Sequence, residues 1–232
     1  MWEAFVVLFW WVLFGGSHIL LSSSFVRPQL IAKVGERPFQ GIYSLVAFAT
    51  FIPLAMYYGN HKHTGVQFWH SFLGLELIAK DFNVLLMAFA FVLLVSGLVA
   101  RPPSSMMPAS GVPEAYGVTR ITRHPTFAAI FLFGIAHCLM NGTLTDLIFF
   151  GGFSVFSWIG AAHQDGRKVI DVPGYAAFKE QTSFVPFAAI IDKRQPLNVS
   201  ELRWVVVVIA LVVFYIVRAH HTGWFGGARM IF

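Results

Sequence analysis

Charged residues are scarce in this chain: Asp, Glu, Lys and Arg make up 12% of its 232 residues, against about 25% in an ordinary soluble domain. That deficit excludes a water-soluble globular protein, and the 57% of hydrophobic residues place the chain in a membrane. A single cysteine, Cys138, excludes an internal disulfide and leaves the redox compartment unmarked by thiols. The net charge of +5 is not gathered into a patch. Its basic residues lie between apolar runs, which excludes nucleic acid as a partner and points to membrane topology. Met1-Trp-Glu3 lacks the positive start of a signal peptide and no small-residue cleavage site follows, so the first apolar run is expected to be retained.

What is there is a series of apolar runs, several of them near the roughly 20 residues a helix needs to cross a bilayer. They predict an all-α, polytopic membrane protein with about six transmembrane helices, forming one integral membrane domain over 1–232. The spans fall at about 2–26, 39–58, 83–100, 125–141, 143–162 and 202–218. Span one is carried through Ser22-Ser-Ser24 to Val26, because Pro28 disfavours helix at the residue before it, and a loop with Lys33, Glu36 and Arg37 follows. Pro53 is tolerable inside span two, where neighbouring helices can satisfy the freed backbone groups. Gln67 to Asp81, with Trp69, His70, Lys80 and Asp81, suits a headgroup environment. Only Asn141-Gly142 separates spans four and five, which predicts an antiparallel hairpin. Phe184 to Ile191 is too short to span and reads as interfacial or re-entrant.

Loops one, three and five carry Arg27, Lys33, Arg37, Arg101, Arg120, Arg123, Arg167, Lys168, Lys179, Lys193 and Arg194, whereas loops two and four carry Lys62 and Lys80. The odd loops are therefore expected in the cytoplasm and both termini outside it, with Arg203, Arg218 and Arg229 as contrary charges.

The chemistry concentrates in Arg120-Ile-Thr-Arg-His-Pro125 and the span it opens. Pro125 suits the first position of a helix, which sets His124 at the helix mouth. Arg120 and Arg123, with the N–H groups of the first turn, form a candidate carboxylate or phosphate site, or else a lipid anchor that fixes orientation. His137 lies twelve residues past Pro125, about 18 Å into the membrane at 1.5 Å per residue. His18 lies about 12 Å from the expected end of span one near Val26. Ionisable groups at such depth are rare and usually functional. Gly15 and Gly134 stand three positions before these histidines, on the same helix face. A bare patch beside each imidazole leaves room for a flat macrocycle, so His18 and His137 are candidate metal ligands for a haem. The alternative is a pair of histidines hydrogen-bonded across helix interfaces. Cys138 reads as packing rather than as a thiolate ligand. His61, His63 and His70 read as solvated loop histidines, since His61-Lys-His63 has no third ligand at a recognisable spacing.

Gly16-Ser-His18, Gly35-Glu-Arg37 with Gly41-Ile-Tyr-Ser44, and Ala136-His137 followed by Asn141-Gly-Thr-Leu-Thr-Asp146 resemble the NnrU family, membrane proteins associated with bacterial nitrite and nitric oxide metabolism. The longer match through Arg120-Ile-Thr-Arg-His-Pro125 and Thr182-Ser-Phe-Val-Pro-Phe-Ala-Ala-Ile-Ile-Asp-Lys-Arg-Gln195 is similar to the related 15-cis-zeta-carotene isomerases. That resemblance implies haem b held by His18 and His137, redox-dependent isomerisation, and a hydrophobic polyene reaching the site through membrane lipid. A further histidine of the plant enzymes, inside the fifth span, has no counterpart from Thr143 through Ala162. The chain also starts directly at its first span, without an Arg- and Ser-rich transit peptide, which suits a bacterial inner membrane.

A weaker resemblance joins Arg123-His-Pro125, Gly174-Tyr-Ala-Ala-Phe178 and Phe184-Val-Pro186 to isoprenylcysteine carboxyl methyltransferases. It implies an S-adenosylmethionine-dependent membrane methyltransferase with Arg123 and His124 at the cofactor. A third reading is a non-enzymatic accessory protein of nitrite or nitric oxide metabolism. No protein partner is legible in the residues.

Overall fold

The computed structural model describes residues 1–69, 76–105 and 110–226, the side chains of 76–78 excepted. His70 and Arg229 therefore lie outside the described residues. The chain is helical throughout, with no strand among the described residues. In order come α1 (Trp2–Ser22), α2 (Val26–Val34), α3 (Glu36–His61), α4 (Glu76–Ala100), the single turn α5 (Val118–Ile121), α6 (Pro125–Met140) and α7 (Leu144–Asp171). Next follow α8 (Tyr175–Gln181), α9 (Ala188–Ile191), a 3-10 turn at Val199–Glu201 and α10 (Trp204–Phe225). Five helices, α1, α3, α4, α7 and α10, are long and apolar enough to cross a membrane, and α6 is a shorter apolar helix. Large apolar side chains such as Phe5, Leu45, Phe48, Val205 and Ile209 stand exposed on them, as befits helices whose solvent is lipid.

The boundaries differ from expectation in several places, and α4 begins at Glu76 rather than at Asn83, so that the end of the expected interfacial segment is helix. Span one stops at Ser22 rather than Val26, because Ser23 turns into extended backbone and its Oγ takes the Val26 N–H at 3.1 Å, starting a new helix. Pro28 then falls in the first turn of α2, where its missing N–H costs no helical bond. The expected loop around Lys33, Glu36 and Arg37 is thus helix. Span five does not end at Ala162, since α7 runs on through Asp171. The last span extends to Phe225. Helix α3 is continuous through Pro53.

The chain forms two compact units, Met1–Lys80 with Phe133–Arg167, and Asp81–Leu132 with Lys168–Phe232. In the first, α1 packs along α3, and Val7, Trp11, Leu54, Tyr58 and Phe149 are buried together. Phe14, Phe51, Phe150, Phe153 and Phe156 pack against that core. The end of α6 and the start of α7 form the antiparallel hairpin, with Gly134 facing Phe150 and Ser154 while Cys138 faces Gly151. In the second, Leu93, Val118, Ile121, Ala128 and Ala129 form one core, and Ala115, Tyr175 and Phe178 another.

Glycine is required where α7 passes beneath Trp11. That indole donates to the Phe149 carbonyl at 3.1 Å, and a Cβ at Gly152 would lie 2.6 Å from its Cδ2. Gly152→Val should therefore destabilise the protein by about 1–3 kcal/mol, the usual cost of overpacking. A thermal-unfolding midpoint in detergent unchanged from wild type would show that Trp11 moves aside freely.

Candidate functional site

His18 and His137 both belong to the first unit and both lean on α7. The His18 Nδ1 lies 2.8 Å from the Phe14 carbonyl oxygen, one turn back on α1. Its ring meets those of Phe14 at 4.2 Å, Tyr43 at 5.0 Å and Phe156 at 5.4 Å. His137 repeats the arrangement on α6, with Nδ1 2.9 Å from the Phe133 carbonyl and its ring stacked on Phe150 at 4.5 Å. A carbonyl only accepts, so each Nδ1 carries the proton and each neutral ring keeps its lone pair on Nε2. This is the state in which an imidazole can serve as a metal ligand.

The glycine patches do not supply the room expected of them. A Cβ on Gly134 would fall 2.5 Å from the Phe150 carbonyl oxygen, and one on Gly15 would touch Phe156 at 3.7 Å. Both bare faces are taken by α7. Phe150 and Phe156 are six residues apart, about 9 Å along that helix. Between them Phe153 meets Trp11 at 4.9 Å, Phe133 at 5.3 Å and Phe51 at 6.1 Å. Cys138 packs toward the Leu147 carbonyl, 3.9 Å away. Among the described residues no group of three or more His, Cys, Asp or Glu converges as a metal site.

Arg120, Arg123 and His124 lie in the second unit. Arg120 forks onto Glu201, Nε to Oε2 at 2.7 Å and Nη2 to Oε1 at 2.8 Å, and its Nη1 donates to Gln195 Oε1 at 2.6 Å. Its charge is thus answered within the chain. Arg123 gives its backbone N–H to Ser183 O at 2.8 Å and its Nη1 to Thr182 O at 3.1 Å. Thr122 Oγ1 donates to Phe184 O, and the Phe187 N–H to Ile121 O. The Thr182–Pro186 motif is therefore a strap laid along the entry to α6. His124 is not at an open mouth: it is 2% exposed, with Phe127 and Phe184 rings 5.8 and 6.2 Å away.

Asp146 is the residue that reading the sequence for chemistry missed. Fully buried, it accepts from the Tyr58 hydroxyl at 2.9 Å, the His63 N–H at 3.1 Å, His63 Nδ1 at 2.9 Å and Thr143 Oγ1 at 2.7 Å. Thr143 Oγ1 also takes the Asp146 N–H at 3.3 Å. Thr143 thus caps the start of α7 with its hydroxyl, at a Thr-x-x-Asp spacing visible in the sequence. The residues 64–68 lie along it, with Thr145 N–H on Thr64 O, Leu144 N–H on Val66 O and Phe68 N–H on Gly142 O. His63 is thus no simply solvated loop residue.

A family model described as NnrU protein matches residues 6–228. The chain belongs to the NnrU family. Over 174 residues this NnrU chain is 29% identical to the chloroplastic 15-cis-zeta-carotene isomerase of Zea mays and 26% identical to that of Arabidopsis thaliana. Each match takes in 71% of this chain and 45% of the relative, so the chain spans less than half the length of these curated relatives. No solved structure matches it.

The hydrogen bonds from Arg120, and then the Gly117 N–H, hold Glu201 down at about 2, below its ordinary 4.5. A depressed carboxyl contributes its stability above the ordinary value and loses it as the pH falls through the lowered one. The thermal midpoint of wild type should therefore fall between pH 4.5 and about 2, and that fall should be reduced in Glu201→Gln. Parallel acid profiles for the two proteins would show that the pair contributes nothing.

Proposed function

We propose that this NnrU protein is a membrane-embedded carotenoid isomerase, acting on a cis double bond of a linear polyene such as 15-cis-zeta-carotene. The observation that carries the reading is the similarity to two proteins named for that activity, spread over 71% of the chain. A polyene is wholly apolar and dissolves in the same lipid that surrounds the exposed faces of these helices. It has no charged group for Arg120, Arg123 or His124 to hold, which agrees with Arg120 being engaged by Glu201.

His18 and His137 are the residues we assign to a haem b. The bound group would supply a one-electron redox change. The chain's own part is to keep each Nδ1–H on its carbonyl, so that the lone pair lies on Nε2, and to keep water away with Phe14, Phe133, Phe150 and Phe156. The support for this assignment is the anchored tautomer of both rings. We further place both termini outside the cytoplasm, from the distribution of Lys and Arg between loops.

The test is a pair of measurements. Detergent-purified protein, expressed with ample haem, should show a Soret band and sharp reduced α and β bands, lost in His18→Ala and in His137→Ala. Bacterial cells that accumulate 15-cis-zeta-carotene should change its isomer pattern on chromatography when they express the chain, and not when they express either variant. Folded wild-type protein without haem would overturn the cofactor, and an unchanged isomer pattern would overturn the substrate. A periplasmic reporter fused after Phe225 should be active; an inactive one would reverse the orientation.

A further inference from the structure

The segment that follows α8 leaves the level of the helix ends around it. Helix α4 ends where α6 begins, since a Cβ on Gly97 would lie 3.0 Å from Pro125 Cγ. A Cβ on Gly117 would lie 3.1 Å from Glu201 O, just before α10 starts. These ends mark one face of the membrane. Yet Phe184 sets its ring against Phe131 at 6.0 Å, and Phe187 stacks on Phe89 at 5.7 Å. Phe131 lies about 9 Å along α6 from its start at Pro125, and Phe89 about 16 Å along α4 from its end at Ala100. Residues 184–191 therefore descend beside the apolar parts of both helices, and the chain returns to Arg120 at Gln195.

Backbone outside the long helices persists at that depth only where protein satisfies its polar groups, whereas a loop at a water surface leaves part of its backbone to water. Here every N–H from Phe187 to Gln195 has an acceptor inside the chain, beginning with Ile121 O at 2.8 Å and including Ser183 Oγ at 3.0 Å for Ala189. Thr122 Oγ1 donates to Phe184 O, and Ser183 Oγ to Val185 O. The side chains that face outward are apolar: Val185, Phe187 and Ile191 are exposed, Ile191 at 76%. Cations stand where the segment returns. The Arg120 guanidinium joins Gln195 to Glu201, and exposed Lys193 and Arg203 lie two residues outside that joint, one on each side. Arg194 is answered by Asp192 at 2.9 Å.

We propose that residues 184–195 are a re-entrant wedge in the leaflet, with acyl chains against Val185, Phe187 and Ile191, and with the phosphate of an anionic phospholipid held by Lys193 and Arg203. The inference rests on the membrane fold and is independent of haem, polyene or isomerisation. Apolar side chains that dip into the acyl region below cations at headgroup level are the arrangement of an interfacial anchor. Trp204, exposed beside Arg203, suits the same headgroup level. Arg120, whose charge Glu201 answers, ties the wedge to the start of α10, so the lipid-anchoring alternative read for it in the sequence passes to Lys193 and Arg203.

The experiment reconstitutes the full-length protein in vesicles of phosphatidylcholine and phosphatidylglycerol. A bimane label on Ile191→Cys, in a Cys138→Ala background, should be quenched by phosphatidylcholine carrying a nitroxide on its acyl chain and shielded from iodide. Quenching by iodide would put the segment in water, and quenching by neither reagent would put protein over it, such as a second copy; either result overturns the wedge. Native mass spectrometry then compares phosphatidylglycerol retained by wild type and by Lys193→Gln/Arg203→Gln. Each lost charge should weaken retention about fivefold, with retention of phosphatidylcholine unchanged. Equal retention of phosphatidylglycerol by the two proteins, at equal helix content, would overturn the headgroup assignment. The label measurement keeps the native charges and so decides insertion even where the double variant does not fold.

Discussion

A polar group that leaves water for the interior of a membrane protein must find its partners within the chain, and helix starts are where that requirement is most severe, because their first N–H groups have no helical acceptor. This structure packs a distant segment of the chain against two helix starts. At the start of α7 the chain after α3 doubles back, so that Thr64 and Val66 carbonyls take the N–H groups of Thr145 and Leu144. At the entry to α6 the segment 182–187 is laid along 121–123, exchanging backbone bonds with it. Charges follow the same rule: Glu201 receives Arg120, the Gly117 N–H and Asn198, and buried Lys168 donates to the Pro103 and Ser105 carbonyls. Loops that hydropathy would dismiss as connections thus supply the partners on which the apolar helices depend.

That dependence explains which features the sequence disclosed. The spanning helices were legible because lipid imposes a continuous apolar run, and the two intramembrane histidines stood out against it. Helix ends were less legible. Hydropathy reports where lipid is, not where helix stops, so the polar continuation of α7 to Asp171 and the helical character of Lys33 passed unseen. Ser23 ended α1 by offering its side chain to a new helix, and Pro28 joined that helix harmlessly in its first turn. The glycines beside His18 and His137 misled for a plain reason: a missing side chain leaves the same space for a neighbouring helix as for a flat ligand. Asp146 and His63 are 83 residues apart, and Arg120 and Glu201 are 81 apart. No spacing rule reaches across such distances, although Thr143-x-x-Asp146 was visible as a helix start.

The motifs shared with the NnrU family divide accordingly into two kinds. Gly16-Ser-His18 delivers an imidazole whose tautomer is set by its own helix, a matter of chemistry. Asn141-Gly-Thr-Leu-Thr-Asp146 turns one helix into the next and binds a distant loop, a matter of architecture that leaves one oriented imidazole as its by-product. Sequence similarity weighs both kinds alike.

The length of α6 has a consequence for the surrounding lipid. Its 16 residues rise about 24 Å, less than the roughly 30 Å of a bilayer's hydrocarbon core. At both ends the chain leaves the helix while still buried, at Thr122 and His124 on one side and Thr143 on the other. Irregular backbone at that depth persists only where protein covers it. The neighbouring chain, rather than the acyl thickness, therefore sets how long this helix is. A thicker or thinner membrane acts on the tilt of the five full-length helices and leaves the segment that carries His137 largely untouched.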